Sequence, residues 1–303
     1  ANDGPVPLGG VSGKLTVHCN EGGEYAIYRA DRYGFSNPDS EWDREITDWL
    51  ITGDSYAHGA CVKPESTIAG RMRSMTGASV INLGIGGNGP LVELAALTEY
   101  AGSRRPANVL WLYYEGNDLS KNLPREMNSP LLKRYLQPGY SQGLVRKQDE
   151  IDRMLGSYIA AAEKSAADDE VTDVLYSTRL LRLYNVRRLI GMQEDVEIAP
   201  VFSRIMTQAK ERVSAWGGEL YFVYLPQFSR YASGVTDHDA YRKRRQVIET
   251  VSGCAPSRAR RLTLGPAFQP EEGGVNLGVQ VEPGFAPLRK PGTGFGQRHL
   301  VDH

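Results

Sequence analysis

Four short apolar runs, each stopped by glycine, proline or a small polar cluster, constrain this chain most. They are Trp49-Leu50-Ile51 before Gly53, Ser79 to Ile85 before Gly86-Gly87-Asn88-Gly89, Asn108 to Tyr114 before Glu115-Gly116-Asn117-Asp118, and Glu219 to Leu225 before Pro226. Each has the length and composition of a strand. Stretches with helical spacing lie between them. Pro64-Glu65-Ser66 opens a predicted helix running to about Met75, with Ile68, Met72 and Met75 at helical spacing. Pro90 stands where a second helix would start, and Leu91 to Leu97 continue it. Strands alternating with helices at this spacing imply a parallel sheet joined by right-handed crossovers. The third run is almost wholly apolar, as a strand buried on both faces would be.

At 303 residues the chain suits one large α/β domain with insertions, or roughly two domains. Its net charge of −1 gives no electrostatic reason to expect nucleic acid or an anionic membrane as partner. No apolar run approaches the ~20 residues that span a bilayer. The chain begins without Met and without a charged-then-apolar leader, so its start leaves the compartment open between extracytoplasmic (periplasmic) and cytoplasmic.

Residues 1–45 are rich in Gly, Asn, Asp and Tyr, with short alternating pieces such as Leu15-Thr16-Val17. They read as an extended arm packed on the core. Residues 46–253 form the α/β domain, with a helical insertion at about 123–215 and one more helix from Tyr241 to Val251. Arg261-Leu262-Thr263-Leu264 is the only further strand candidate. Residues 254–303 are dominated by Gly, Pro and Arg and are expected to be a divergent, poorly ordered tail.

The three cysteines, Cys19, Cys61 and Cys254, lack the spacing of a zinc site. Two readings stay open: three free thiols, or a Cys19–Cys61 disulfide outside the cytoplasm. No cofactor or metal is expected.

The predicted strand ends carry the chemistry. Trp49 to Ile51 lead through Gly53 and Asp54 to Ser55, and such a junction lifts one side chain above the end of a sheet. Ser55 is the candidate nucleophile, and Asp54 the residue that orients the turn. Read alone, Asp54 and Ser55 are equally good helix caps. Two other ends, Gly84-Ile85-Gly86-Gly87-Asn88-Gly89 and Gly116-Asn117-Asp118, would share the same edge. Acyl transfer needs a hydroxyl to attack a carbonyl and N–H donors to receive the oxyanion. Glycine backbone and an Asn amide can supply those donors.

With these three blocks in order, the chain resembles the SGNH, or GDSL-type, hydrolase superfamily over about residues 46–120. Gly53-Asp54-Ser55 looks like its first block, Asn82-Leu83-Gly84-Ile85-Gly86-Gly87 its second, and Gly116-Asn117-Asp118 its third. The resemblance implies that Ser55 is the nucleophile and that Ser55, Gly87 and Asn117 form the oxyanion hole. It also implies a three-layer α/β/α sandwich with a parallel, flavodoxin-like sheet of about five strands. The arm, with Cys19-Asn20-Glu21 and Tyr33-Gly34-Phe35-Ser36-Asn37-Pro38, is similar to arms of bacterial members associated with cell-surface polysaccharide modification. The implied substrate is a small-molecule or carbohydrate ester.

The family's last block, an Asp three residues before the His that serves as base, has no match. The five histidines are His18, His58, His238, His299 and His303, and none has Asp three residues before it. The general base is therefore unassigned, with His303, His299 and His238 as candidates, and His58 read as a packing or rim residue. A shifted reading frame or a divergent tail would both give the texture after Ser252. Without a base the serine is a weak nucleophile, so the chain as written reads as a crippled or inactive member.

Three rivals use the same parts. Gly84-x-Gly86-x-x-Gly89 fits a dinucleotide fingerprint, with Glu115 ending the next strand. A non-catalytic carbohydrate-binding protein would use Tyr224, Phe228 and Tyr231 to stack on sugars, where core and rim packing is the simpler reading. A sugar O-acyltransferase would use the same site with another acceptor.

Overall fold

The computed structural model describes residues 4–20, 23–168, 200–227, 245–251, 261–264 and 279–280, without side chains at 162–168 and in the last two segments. The chain is a mixed α/β fold around a four-strand parallel ladder. In chain order its elements are the hairpin β1 (Leu15–Cys19) and β2 (Ala26–Arg29), then β3 (Trp49–Thr52), α1 (Ser55–His58), α2 (Ile68–Thr76) and β4 (Val80–Asn82). There follow α3 (Pro90–Ala96), β5 (Asn108–Tyr114), the short α4 (Leu123–Glu126) and α5 (Pro130–Lys133), and α6 (Gln148–Asp168). The last are α7 (Pro200–Ala215), β6 (Glu219–Leu225), β7 (Arg261–Leu264) and β8 (Val279–Gln280). Residues 245–251 are also helical.

The ladder runs β4-β3-β5-β6, parallel throughout, with Leu50 opposite both Ile81 and Val109, and Leu110 opposite Tyr221. The short β7 lies parallel beside β6, and β8 pairs antiparallel with β7. That last antiparallel strand lies within the stretch expected to be poorly ordered. Two residues of strand leave almost no periodic signal in a sequence.

β5 explains its own apolar run. Val109, Trp111 and Tyr113 join one core with Leu50, Ile81, α3 and α7. Leu110 and Leu112 face the opposite way into a second core with Ile51, Val80, Ala57 and Ala69. Side chains alternate along a strand, so burying both faces removes the polar positions.

The arm packs on the first core through Leu8, Phe35 and Trp42. Buried Asp31 holds its bend, accepting from the N–H groups of Tyr33 and Phe35 (2.9 Å each), Asn37 Nδ2 (2.8 Å) and Trp42 Nε1 (2.7 Å). The predicted helix from Pro64 begins later. Pro64–Ser66 is a separate 3₁₀ turn, and α2 starts after Thr67, whose hydroxyl accepts from Gly70 N–H at 3.0 Å. A threonine cap outcompeted the proline signal. Of the predicted insertion at 123–215, α4, α5, α6 and α7 are helical, and 169–199 lies outside the described residues. Most of the expected tail at 254–303 lies outside them too. No described helix is long and apolar enough to cross a membrane.

Candidate active site

β3 stands between β4 and β5, so the loops following those three strands meet at one edge. The chain leaves β3 for β4 on one side and then crosses to β5 on the other. Ligand crevices of open α/β sheets form at such a reversal of strand order.

Gly53 makes the turn after β3. Its φ is +154°, and a Cβ there would stand 2.8 Å from Leu112 O and 2.9 Å from Ala57 Cβ. Only glycine lets the backbone pass this close to β5. Asp54 then caps α1, accepting from Tyr56 N–H at 2.9 Å. Ser55 follows as the first residue of α1 and is half-buried. Its cap and nucleophile readings are thus compatible: Asp54 caps, and Ser55 is presented.

A second close approach seats α1 against the end of β4. A Cβ on Gly84 would lie 2.5 Å from Ala57 Cβ and 2.6 Å from His58 N. Asn82 ties the same junction, donating to Ala57 O (2.7 Å) and accepting from Gly84 N–H (2.9 Å). Asn82 is in turn gripped by the arm. Asn37 Nδ2 donates to Asn82 O at 2.9 Å, and Asn82 N–H donates to Asn37 Oδ1 at 2.8 Å. One polar chain therefore runs from Asp31 in the arm, through Asn37 and Asn82, to the turn carrying Ser55.

Ser55 and the glycine loop adjoin. A methyl group built on exposed Gly86 would sit 3.8 Å from Ser55 Cβ. Gly87 has φ +87° with open space where a Cβ would be, and its carbonyl accepts from Arg125. Among the described residues, neither Ser55 N–H nor Gly87 N–H donates to a protein acceptor.

Asn117 follows β5 at the start of a π-turn over Asp118–Asn122. Its Oδ1 is buried without a hydrogen-bond partner. Burial pushes the Asp54 carboxyl up, while the Tyr56 N–H, the Asn117 amide and the Ser55 hydroxyl favour its ionised form. Asp54 Oδ2 nonetheless completes no bond of normal geometry. The Asp54 carboxyl thus lies close enough to Ser55 and Asn117 for both to favour its ionised form.

More carboxyls lie behind the site, in a layer that sequence reasoning missed. Burial raises the Asp118 carboxyl well above its usual range, and the charges of Asp54 and Glu126 add to the effect. Glu93 is fully buried with both oxygens unpartnered, and is held well above the carboxylate range by burial and then by Asp118, Glu126 and Asp54. Like charges so close oppose one another's ionisation, so this layer holds its protons to higher pH than free carboxyls do. No group of His, Cys, Asp and Glu among the described residues could hold a metal ion.

Glu126 also counts against the dinucleotide rival. Its carboxylate accepts from the N–H groups of Gly89, Leu91 (3.0 Å) and Val92 (3.4 Å) at the start of α3. Pro90 has no N–H, and Glu93 N–H donates to Gly89 O. The N–H groups of Gly89, Leu91 and Val92, which a pyrophosphate at the start of α3 would need, are thus taken by an internal carboxylate.

Two histidines missed as a pair stand on the other side of Ser55. The β1–β2 hairpin brings His18 over α1, with its ring centroid 4.1 Å from that of His58 at 89°. His58 Nδ1 accepts from Gly86 N–H at 3.2 Å, and its buried Nε2 has no partner. Burial, then the charge of His18, pushes the His58 imidazole down to about 4. Cys19 and Cys61 form a disulfide that pins this hairpin to the loop after α1. The disulfide is one of the two readings the cysteines left open, whereas no signal in the sequence pairs His18 with His58. His238, His299, His303, Phe228 and Tyr231 lie outside the described residues. Tyr224 is core, buried against Tyr113 with ring centroids 5.5 Å apart, so it offers no face to a sugar.

No protein-family model matches the chain, and no curated protein matches it.

Proposed function

We propose that this site performs acyl transfer from a carboxylic ester through Ser55, as in the SGNH hydrolases that the three sequence blocks resemble. The observation that carries the reading is the meeting of Ser55, the glycine loop and Asn117 at the ends of three adjacent strands. The sheet order β4-β3-β5-β6-β7 suits the flavodoxin-like arrangement expected of that superfamily.

In this reading Ser55 Oγ attacks the ester carbonyl. The developing oxyanion is received by the N–H groups of Ser55 and Gly87 and by the Asn117 amide. In this role Asp54, whose ionised form the Asn117 amide favours, would orient that amide toward the oxyanion. Collapse expels the alcohol and leaves an acyl-enzyme, which water then cleaves. Tyr56, 50% exposed beside the nucleophile and 4.7 Å from Tyr114 ring to ring, offers a flat apolar face of the kind that packs on a sugar, so an O-acylated carbohydrate is the favoured substrate class. The Cys19–Cys61 disulfide suits an oxidising, extracytoplasmic compartment.

Hydrolysis of p-nitrophenyl acetate tests the reading. Ser55→Ala should lower kcat/KM by roughly a thousandfold or more. Equal turnover by wild type and variant would refute it. The missing Asp-x-x-His favours a second reading, in which the same site binds an acylated sugar without turning it over, as a crippled or carbohydrate-binding member. A sugar acyltransferase would share the acyl-enzyme and differ only in its acceptor.

A further inference from the structure

We infer that His18, on the β1–β2 hairpin, is the general base of the Ser55 site, held there by the Cys19–Cys61 disulfide. The inference rests on the acyl-transfer reading above and fills the role for which the chain's sequence has no Asp-x-x-His.

Of the two histidines among the described residues, the geometry favours His18. One point beside Gly86 lies 3.8 Å from Ser55 Cβ and 3.9 Å from His18 Cε1, so nucleophile and imidazole flank the same exposed glycine. Cε1 lies between the two ring nitrogens, so the edge turned toward Gly86 is the one that can take a proton. No direct hydrogen bond joins Ser55 to an imidazole among the described residues. In this proposal one water bridges the two, and such contacts commonly tighten only when substrate binds.

His58 cannot serve in its place. Its Nδ1 is filled by the Gly86 N–H, and the ring is buried. It instead backs His18 edge to face, with Tyr28 5.4 Å away on the hairpin's second strand. The groups facing His18 are thus a neutral imidazole and a phenol. Burial lowers the His18 imidazole below its ordinary value, so it is unprotonated and ready to accept at neutral pH.

The proton accounting closes without another reagent. As Oγ bonds to the ester carbon, the Ser55 proton passes through the water to His18. When the tetrahedral species collapses and the C–O bond to the alcohol breaks, the His18 imidazolium returns that proton to the leaving oxygen. In deacylation His18 takes a proton from the attacking water and returns it to Ser55 Oγ.

The disulfide gives the hairpin its place. Among the described residues β1 and β2 pair with each other and with no strand of the main sheet, and the Cys19–Cys61 bond, the Lys63–Glu24 ion pair (3.3 Å) and the His18–His58–Tyr28 ring contacts tie the hairpin to α1 and the loop after it.

The test uses the full oxidised chain, p-nitrophenyl acetate and four variants: Ser55→Ala, His18→Ala, Cys19→Ser/Cys61→Ser, and Ser55→Ala/His18→Ala as the blank for imidazole's own reaction. His18→Ala should lower kcat/KM about 10²–10⁴-fold, with most of the loss in kcat and a cooperative melt retained. Added imidazole should restore part of it in His18→Ala above the double-variant blank. The disulfide variant should lose activity in the same direction. His18→Ala turning over within about threefold of wild type would overturn the inference and leave Ser55 chemistry standing. A loss that imidazole does not rescue would also overturn it, by making His18 merely structural. Wild type with no Ser55-dependent turnover would overturn the acyl-transfer reading itself, and this inference with it.

Discussion

Glu93 shows most plainly that single residues near Ser55 are under electrostatic load. It sits fully buried in α3 with neither oxygen partnered, and Trp111 Nε1, the nearest donor, also completes no bond. Burial raises its carboxyl well above the ordinary 4.5, and Asp118, Glu126 and Asp54 raise it further. The folded protein therefore keeps a proton that the unfolded chain releases above about pH 4.5. Stability must fall as pH climbs from there toward the folded pKa, because the folded state binds more protons over that window. Glu93→Gln keeps the shape and removes the titration. Its melting temperature should match wild type near pH 4.5 and exceed it by roughly 3 °C or more at pH 8. Thermal melts across that range check this, and a difference independent of pH would contradict it.

At the scale of elements, the site is a junction of β3, β4, β5 and α1 clamped from outside by the arm. Asn82 is the clamp's centre. Asn82→Ala would strand the buried Ala57 carbonyl and Gly84 N–H, while the Asn37 bonds, made to the Asn82 backbone, would remain. Unsatisfied groups of this kind cost about 1–3 kcal/mol each, so a loss of about 2–4 kcal/mol is expected in denaturant unfolding. Ester turnover should fall with it, because α1 carries Ser55. A loss below about 0.5 kcal/mol would show that Asn82 is not the tie described. The arm's hairpin is fastened differently. The Cys19–Cys61 bond closes a loop of 42 residues, for which chain-entropy arguments give roughly 4 kcal/mol.

Over the whole molecule, what was legible in the sequence is what repeats or stays local. The four runs ending at Gly53, Gly86, Glu115 and Pro226 became the parallel ladder, since buried strands and glycine turns leave a signal within a few residues. Ser55, the Gly86–Gly87 loop and Asn117 were legible by their order at strand ends. The pairing of His18 with His58, the relay from Asp31 through Asn37 to Asn82, and Glu126 capping α3 were not. Each depends on a contact between residues 34 or more positions apart, and no local pattern encodes such contacts. Glu126 also counts against the dinucleotide reading, which rested on three glycines and Glu115, by taking the N–H groups at the start of α3. The cysteines were legible as a candidate pair, but their joining depends on where the hairpin folds back.

The central claim is that Ser55 is an activated nucleophile. The most direct test treats the full oxidised chain with a fluorophosphonate and locates the adduct by peptide mass mapping. One phosphonyl group should appear, on the peptide containing Ser55, and Ser55→Ala should carry none. An unmodified Ser55, with no adduct or with label only on other residues, would contradict the account.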